Sequence, residues 1–238
     1  MTFQPFWFAL QFLTRIPVPV RVDFHPSVAG RSLPAFPLVG LLIGAVLAGL
    51  GGLLNGSPPA VSAAVLLLSW VLISGALHLD GLADCADAWM GGLGSRERTA
   101  QILKDPHVGS AAVAVLVTVL LAKFAALQSP ATLEAVLWAP VLGRSAALAL
   151  LIMTPYANPA GLADGWLRHT PLSMARAVLG LVALVCFWRL GLAVLLTALL
   201  VCWAVRTLAL ARLGGVTGDV CGAAVELVET AVLLAAAL

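Results

Sequence analysis

"SLPAFPLVGLLIGAVLAGLGGLLNGSPPAVSAAVLLLSWVLISGALHL", residues 32–79, contains no Asp, Glu, Lys or Arg. About 20 residues at 1.5 Å each cross the hydrocarbon of a bilayer, so this run is too long for one span and suits two. Asn-Gly-Ser-Pro-Pro at 55–59 breaks it, because Gly and Pro punctuate helices. The stretch predicts a helical hairpin inside a membrane.

The rest of the chain extends the pattern. Of 238 residues, 61% are hydrophobic and 10% charged, with mean hydropathy +1.05, which excludes an ordinary soluble domain. Apolar segments near 37–54, 60–79, 108–127, 133–153, 174–188, 191–211 and 222–238 predict an all-α polytopic membrane protein of about seven transmembrane helices, one domain over 1–238. Phe3 to Leu13, "FQPFWFALQFL", is too short to span and rich in aromatics, so it reads as an interfacial or re-entrant helix. It lacks the basic start and small-residue cleavage site of a signal peptide.

Lys and Arg orient the bundle. Arg15, Arg21 and Arg31 precede the first span, Arg96, Arg98 and Lys104 follow the second, Arg168 and Arg176 follow the fourth, and Arg206 and Arg212 flank the sixth-to-seventh link. The connections at 55–59 and 128–132 carry none, and 188–190 carries only Arg189. The positive side is expected to be cytoplasmic. Lys123 and Arg189 run against this pattern and are expected to snorkel to headgroups near outer helix ends. Cys186 and Cys202 fall in spans and Cys85 and Cys221 at the reducing side, so no disulfide framework is expected. A net charge of +2 with no recognisable motif gives no case for nucleic acid.

Against this background "LDGLADCADAWMGG", residues 79–92, places Asp80, Asp84 and Asp87 within eight residues. On a helix they share an arc of about 60°. Carboxylates that close raise one another's pKa, and a hard divalent cation such as Mg²⁺ resolves the repulsion. The plainer reading is a solvated first helical turn whose acids complement the helix dipole. Downstream, "SRERTAQILKDPHVGS" at 95–110 offers Arg96, Arg98, Lys104, Asp105 and His107, for which topology signalling alone is the alternative for the arginines. "GGVTGDVCGAAVELVE" at 214–229 sets Gly218 and Asp219 on the same side, with Glu226 and Glu229 deeper in the last span. Asp219 either joins the site or caps the last helix. A Glu that deep needs a partner, and Arg144 or Arg206 can supply one. Asp164 lies in "GLADG", an echo of residues 81–84 whose flanks do not match.

"FLTRIPVPV" at 12–20, "FPLVGLLIGA" at 36–45, "LHLDGLADCADAWMGG" at 77–92, "RTAQILKDPHVGS" at 98–110 and "GGVTGDVCGAAVEL" at 214–227 together resemble the cobalamin synthase family of adenosylcobinamide-GDP ribazoletransferases, in family order over nearly the whole chain. Cys85 and Trp89 depart from the expected pattern at positions that are not proposed ligands. The resemblance implies a membrane transferase joining adenosylcobinamide-GDP and α-ribazole, or its 5′-phosphate, with release of GMP. It implies Mg²⁺ as cofactor, Asp80, Asp84 and Asp87 at the metal with one of them as base, and Arg15, Lys104, Asp105, His107, Gly218 and Asp219 toward substrate. The implied setting is a bacterial inner membrane, with the site on the cytoplasmic face, the lipid bilayer as partner and homo-oligomerisation left open. A CDP-alcohol phosphotransferase-like enzyme, which also carries an acidic helix, and a secondary transporter remain as alternatives.

Overall fold

The computed structural model describes residues 3–158 and 161–238, and the regular elements among them are helices. Helix α1 (Gln4–Leu13) is followed by α2 (Pro26–Ser32), a 3₁₀ turn (Leu33–Ala35) and α3 (Phe36–Leu53), then α4 (Pro59–Ser74), α5 (Leu77–Gly91), α6 (Arg96–Ile102) and α7 (Ser110–Leu127). A second 3₁₀ turn (Pro130–Thr132) leads into α8 (Leu133–Met153), followed by α9 (Leu162–Leu167), α10 (Leu172–Leu213) and α11 (Gly218–Ala237). Among the described residues, five helical segments are long and apolar enough to cross a membrane: 26–53, 110–127, 130–153, 172–213 and 218–237. The bent pair α4 and α5 makes a sixth if taken as one span.

Two departures from simple spans shape the molecule. α10 runs 42 residues but is broken at Gly191, where φ 83° and ψ 170° are open to glycine and leave the helical region. Arg189, just before the break, pairs with Glu134 at the start of α8. Arg206, well after it, bonds the Thr154 hydroxyl and Met153 carbonyl at the end of α8. Val182 and Leu195 line one crevice together. α10 is therefore a hairpin, and its halves supply the segments expected at 174–188 and 191–211.

The second departure falls in the segment expected at 60–79. α4 stops at Ser74, where the Gly75 and Ala76 amides bond the Leu72 and Val71 carbonyls in a Schellman-type stop. Gly75 and Ala76 both take left-handed backbone, and α5 leaves at 88° to α4. A left-handed Ala costs about 1 kcal/mol, so packing must hold this bend. The continuous hydropathy of 60–79 concealed it.

Helices α8 and α11 form the buried centre, packed against each other and ringed by α3, α5, α7 and α10. Gly40 and Gly44 let α3 approach α8, since a Cβ on either would strike the Pro140 or Leu137 carbonyl. At ten residues, α1 is too short to span, as expected, and buries Phe8 and Leu13 while Phe8 and Phe12 pack edge-on to Trp166. All four cysteines are free.

Candidate active site

The acidic residues of the two motifs meet where α5 crosses α11. A Cβ on Gly81 would lie 2.7 Å from the Asp219 carbonyl oxygen, and one on Gly222 would lie 3.3 Å from the His78 Cα. Only hydrogen fits between the two backbones at Gly81, and the approach at Gly222 is tight. Asp84 consequently lies within electrostatic reach of Asp80, Asp87 and Asp219, and Asp219 within reach of Asp80. Among the described residues none of these four carboxylates is ion-paired. Asp80 is exposed, Asp84 and Asp219 half-buried.

Asp87 behaves differently from its neighbours. Its carboxylate accepts the Gly109 amide at 2.6 Å and the Ala112 amide at 2.9 Å, capping the start of α7. One acid of the predicted triad thus serves as the cap of another helix. For Asp219 the capping alternative is taken by a neighbour: Thr217 Oγ1 accepts the Val220 amide at 3.3 Å, and the Thr217 hydroxyl donates to Asp219 at 3.3 Å. Asp219 is left on the first turn of α11 beside an open cavity.

That cavity, of about 340 Å³, is lined by Lys104, Tyr156, Asn158, Thr217, Gly218 and Asp219, with Phe12 and Trp166 among its apolar walls. The loops around it are pinned together, since the Ala157 amide donates to the Val216 carbonyl at 2.8 Å and the Val216 amide to the Pro155 carbonyl at 2.9 Å. Of the residues singled out from the sequence, Lys104 and Gly218 line this cavity together with Asp219. Tyr156 and Thr217 were not singled out from the sequence. The one available signal was that Tyr156 is the chain's single tyrosine.

Other predicted residues fall elsewhere. Arg15 lies against Gly75 at the α4–α5 bend and lines a separate hollow formed by residues 11–22. Asp105 and His107 bond each other at 2.6 Å in an exposed turn, and the His107 contact holds the Asp105 carboxyl below its usual pKa. Arg96 closes the end of α10 through the Leu210 and Ala211 carbonyls, and Arg98 closes the end of α5 through the Gly91 carbonyl. Asp164 pairs with Arg168 on the surface.

Deeper in the bundle, Lys123 does not snorkel outward. Buried, it donates to Glu226 at 2.6 Å and to Glu229 at 2.7 Å, while Arg144 pairs with Glu229. The partner expected for the deep glutamates is thus Arg144, joined by Lys123; Arg206 is engaged at the end of α8.

For a metal, the donor chemistry fits and the cage is incomplete. Asp80, Asp84 and Asp219 offer hard carboxylate oxygens with no basic partner, yet among the described residues no three His, Cys, Asp or Glu side chains converge closely enough to hold an ion. Mg²⁺ asks for no more than one or two carboxylates when substrate phosphates and water complete its shell.

The chain is 50% identical to an adenosylcobinamide-GDP ribazoletransferase of Pseudomonas fluorescens, over 98% of this chain and 99% of the relative. It is 52% identical to that of Pseudomonas aeruginosa, over 97% and 96%, and 48% identical to that of Pseudomonas savastanoi, over 98% and 99%. No solved structure matches. The model of cobalamin-5-phosphate synthase matches residues 5–237, taking in α5, α11 and every helix between them, and the chain belongs to that family.

Proposed function

We propose that the chain joins adenosylcobinamide-GDP to α-ribazole or its 5′-phosphate, yielding adenosylcobalamin or its 5′-phosphate and GMP, at the crossing of α5 and α11. The ribazole 3′-hydroxyl oxygen attacks the phosphorus bearing the cobinamide aminopropanol. The bond from that phosphorus to the GMP oxygen breaks, GMP leaves, and the hydroxyl proton passes to a carboxylate. The observation that carries this reading is the Gly81 contact, which sets unpaired Asp80 and Asp84 against Asp219 in a chain about half identical to such transferases over its whole length. Family membership selects it over a CDP-alcohol phosphotransferase or a transporter.

Phosphoryl transfer asks little covalent chemistry of a protein and much charge placement. Lys104, on the cavity wall, is suited to a phosphate oxygen, and Asp80, Asp84 and Asp219 to a hard cation. Bound Mg²⁺ would neutralise charge on the phosphoryl oxygens. Arg96, Arg98, Lys104 and Arg212 belong to the same end as the site, so the positive-inside rule supports a cytoplasmic-facing site in a bacterial inner membrane.

The test is to incubate the purified protein in nanodiscs with adenosylcobinamide-GDP, α-ribazole 5′-phosphate and Mg²⁺. GMP and a cobamide should form together and cease with excess EDTA. Failure to form GMP would overturn the activity, and undiminished turnover in EDTA would overturn the metal.

A further inference from the structure

The α4–α5 bend precedes the acidic face of α5, and its left-handed Ala76 is unfavourable in isolation, so packing around it matters. One buried charge cluster touches both sides of it. Lys123 on α7 lies 4.8 Å from the centre of the Trp70 ring on α4, one turn before the bend, and bonds Glu226 and Glu229 on α11. Arg144 on α8 pairs with Glu229 and turns its second terminal nitrogen to His78 Nδ1 on α5, at 3.4 Å, just past the bend. Arg144 Nε has no partner among the described residues, so this guanidinium is committed to Glu229 and His78 alone. Gly143 makes room for Glu229, whose Cγ would lie 2.9 Å from a Cβ there. His78 is buried two residues before Asp80, and its backbone packs on Gly222.

Two buried bases balance two buried acids, and five helices contribute. Apolar side chains of similar volume would hold such a bundle at least as well, because desolvating four charges is unfavourable. What charges and hydrogen bonds add is direction. We propose that the buried Lys123–Glu226–Glu229–Arg144 cluster positions the acidic face of α5 against Asp219, acting through Trp70 before the bend and His78 after it. His78 and Arg144 are then positioning residues, remote from the reacting atoms, and the proposal rests on the α5–α11 crossing being the catalytic centre.

The experiment compares GMP release in nanodiscs by the parent protein with His78→Leu, His78→Asn and Arg144→Lys. Release by the parent tests the catalytic reading separately from the variants. His78→Leu removes the acceptor and keeps much of the volume. Arg144→Lys keeps the pair with Glu229 but withdraws the second donor. His78→Leu and Arg144→Lys should both elute as folded proteins with kcat lowered about 10²-fold, since a displacement of about 1 Å has that effect, and KM for adenosylcobinamide-GDP changed less than about threefold. His78→Asn, which keeps an acceptor, should recover most of the lost kcat. Parent kcat in folded His78→Leu or Arg144→Lys, or no rescue by His78→Asn, overturns the proposal. Should His78→Leu fail to fold, Arg144→Lys decides.

Discussion

Asp84 and Asp87 lie one turn apart and look equivalent in "LADCAD", yet the fold separates their work. Asp87 spends both oxygens on the Gly109 and Ala112 amides, whereas Asp84 faces Asp80 and Asp219 with no basic partner. Asp87→Asn should therefore lower stability by about 1 kcal/mol, read as an earlier thermal unfolding midpoint in detergent, and leave GMP release near the parent rate. Asp84→Asn should do the reverse, keeping the midpoint and lowering turnover about 10²-fold or more, about 2.7 kcal/mol. Equal effects of the two substitutions would contradict the division. The shared helical face was legible in the sequence, because it follows from the spacing of 80, 84 and 87. That Asp87 caps α7 was not, because its acceptor role depends on where the chain returns after the end of α5 and all of α6. Likewise the buried setting of Lys123 is set by α11, more than 100 residues on.

Among the elements, α3, α7, α8 and α11 fall close to the apolar segments read from composition, and they do so because hydrocarbon leaves a spanning backbone little choice but helix. The bend after α4 was hidden by continuous hydropathy, whereas the turn at Gly191 falls at the connection read between the segments 174–188 and 191–211. Close approach between helices was equally silent. Of the glycines in α3, Gly44 sits against the Leu137 backbone while Gly49 faces open space. Gly44→Leu should force α3 away from α8 and destabilise the bundle by several kcal/mol, whereas Gly49→Leu should be near neutral. Thermal unfolding of both variants in one detergent measures the contrast, and similar midpoints would place the α3–α8 contact elsewhere.

At the scale of the molecule, two motifs separated by some 130 residues in sequence share one end of a helical bundle, joined at a crossing where Gly81 meets Asp219. Convergence was predicted from the side on which both motifs fall. Direct backbone contact, with Tyr156 and Thr217 in the adjoining cavity wall, required the structure. The central claim is that the acids of α5 and of α11 act as one centre. Groups that act as a unit lose their effect together, whereas independent groups lose it multiplicatively. The decisive measurement is GMP release from adenosylcobinamide-GDP and α-ribazole 5′-phosphate in nanodiscs by Asp84→Asn, Asp219→Asn and the double variant, each shown to be folded. The account predicts that each single variant loses about 10²-fold or more and that the double variant is little slower than the slower single one. Parent-like turnover by Asp219→Asn, or losses that multiply in the double variant, would contradict it.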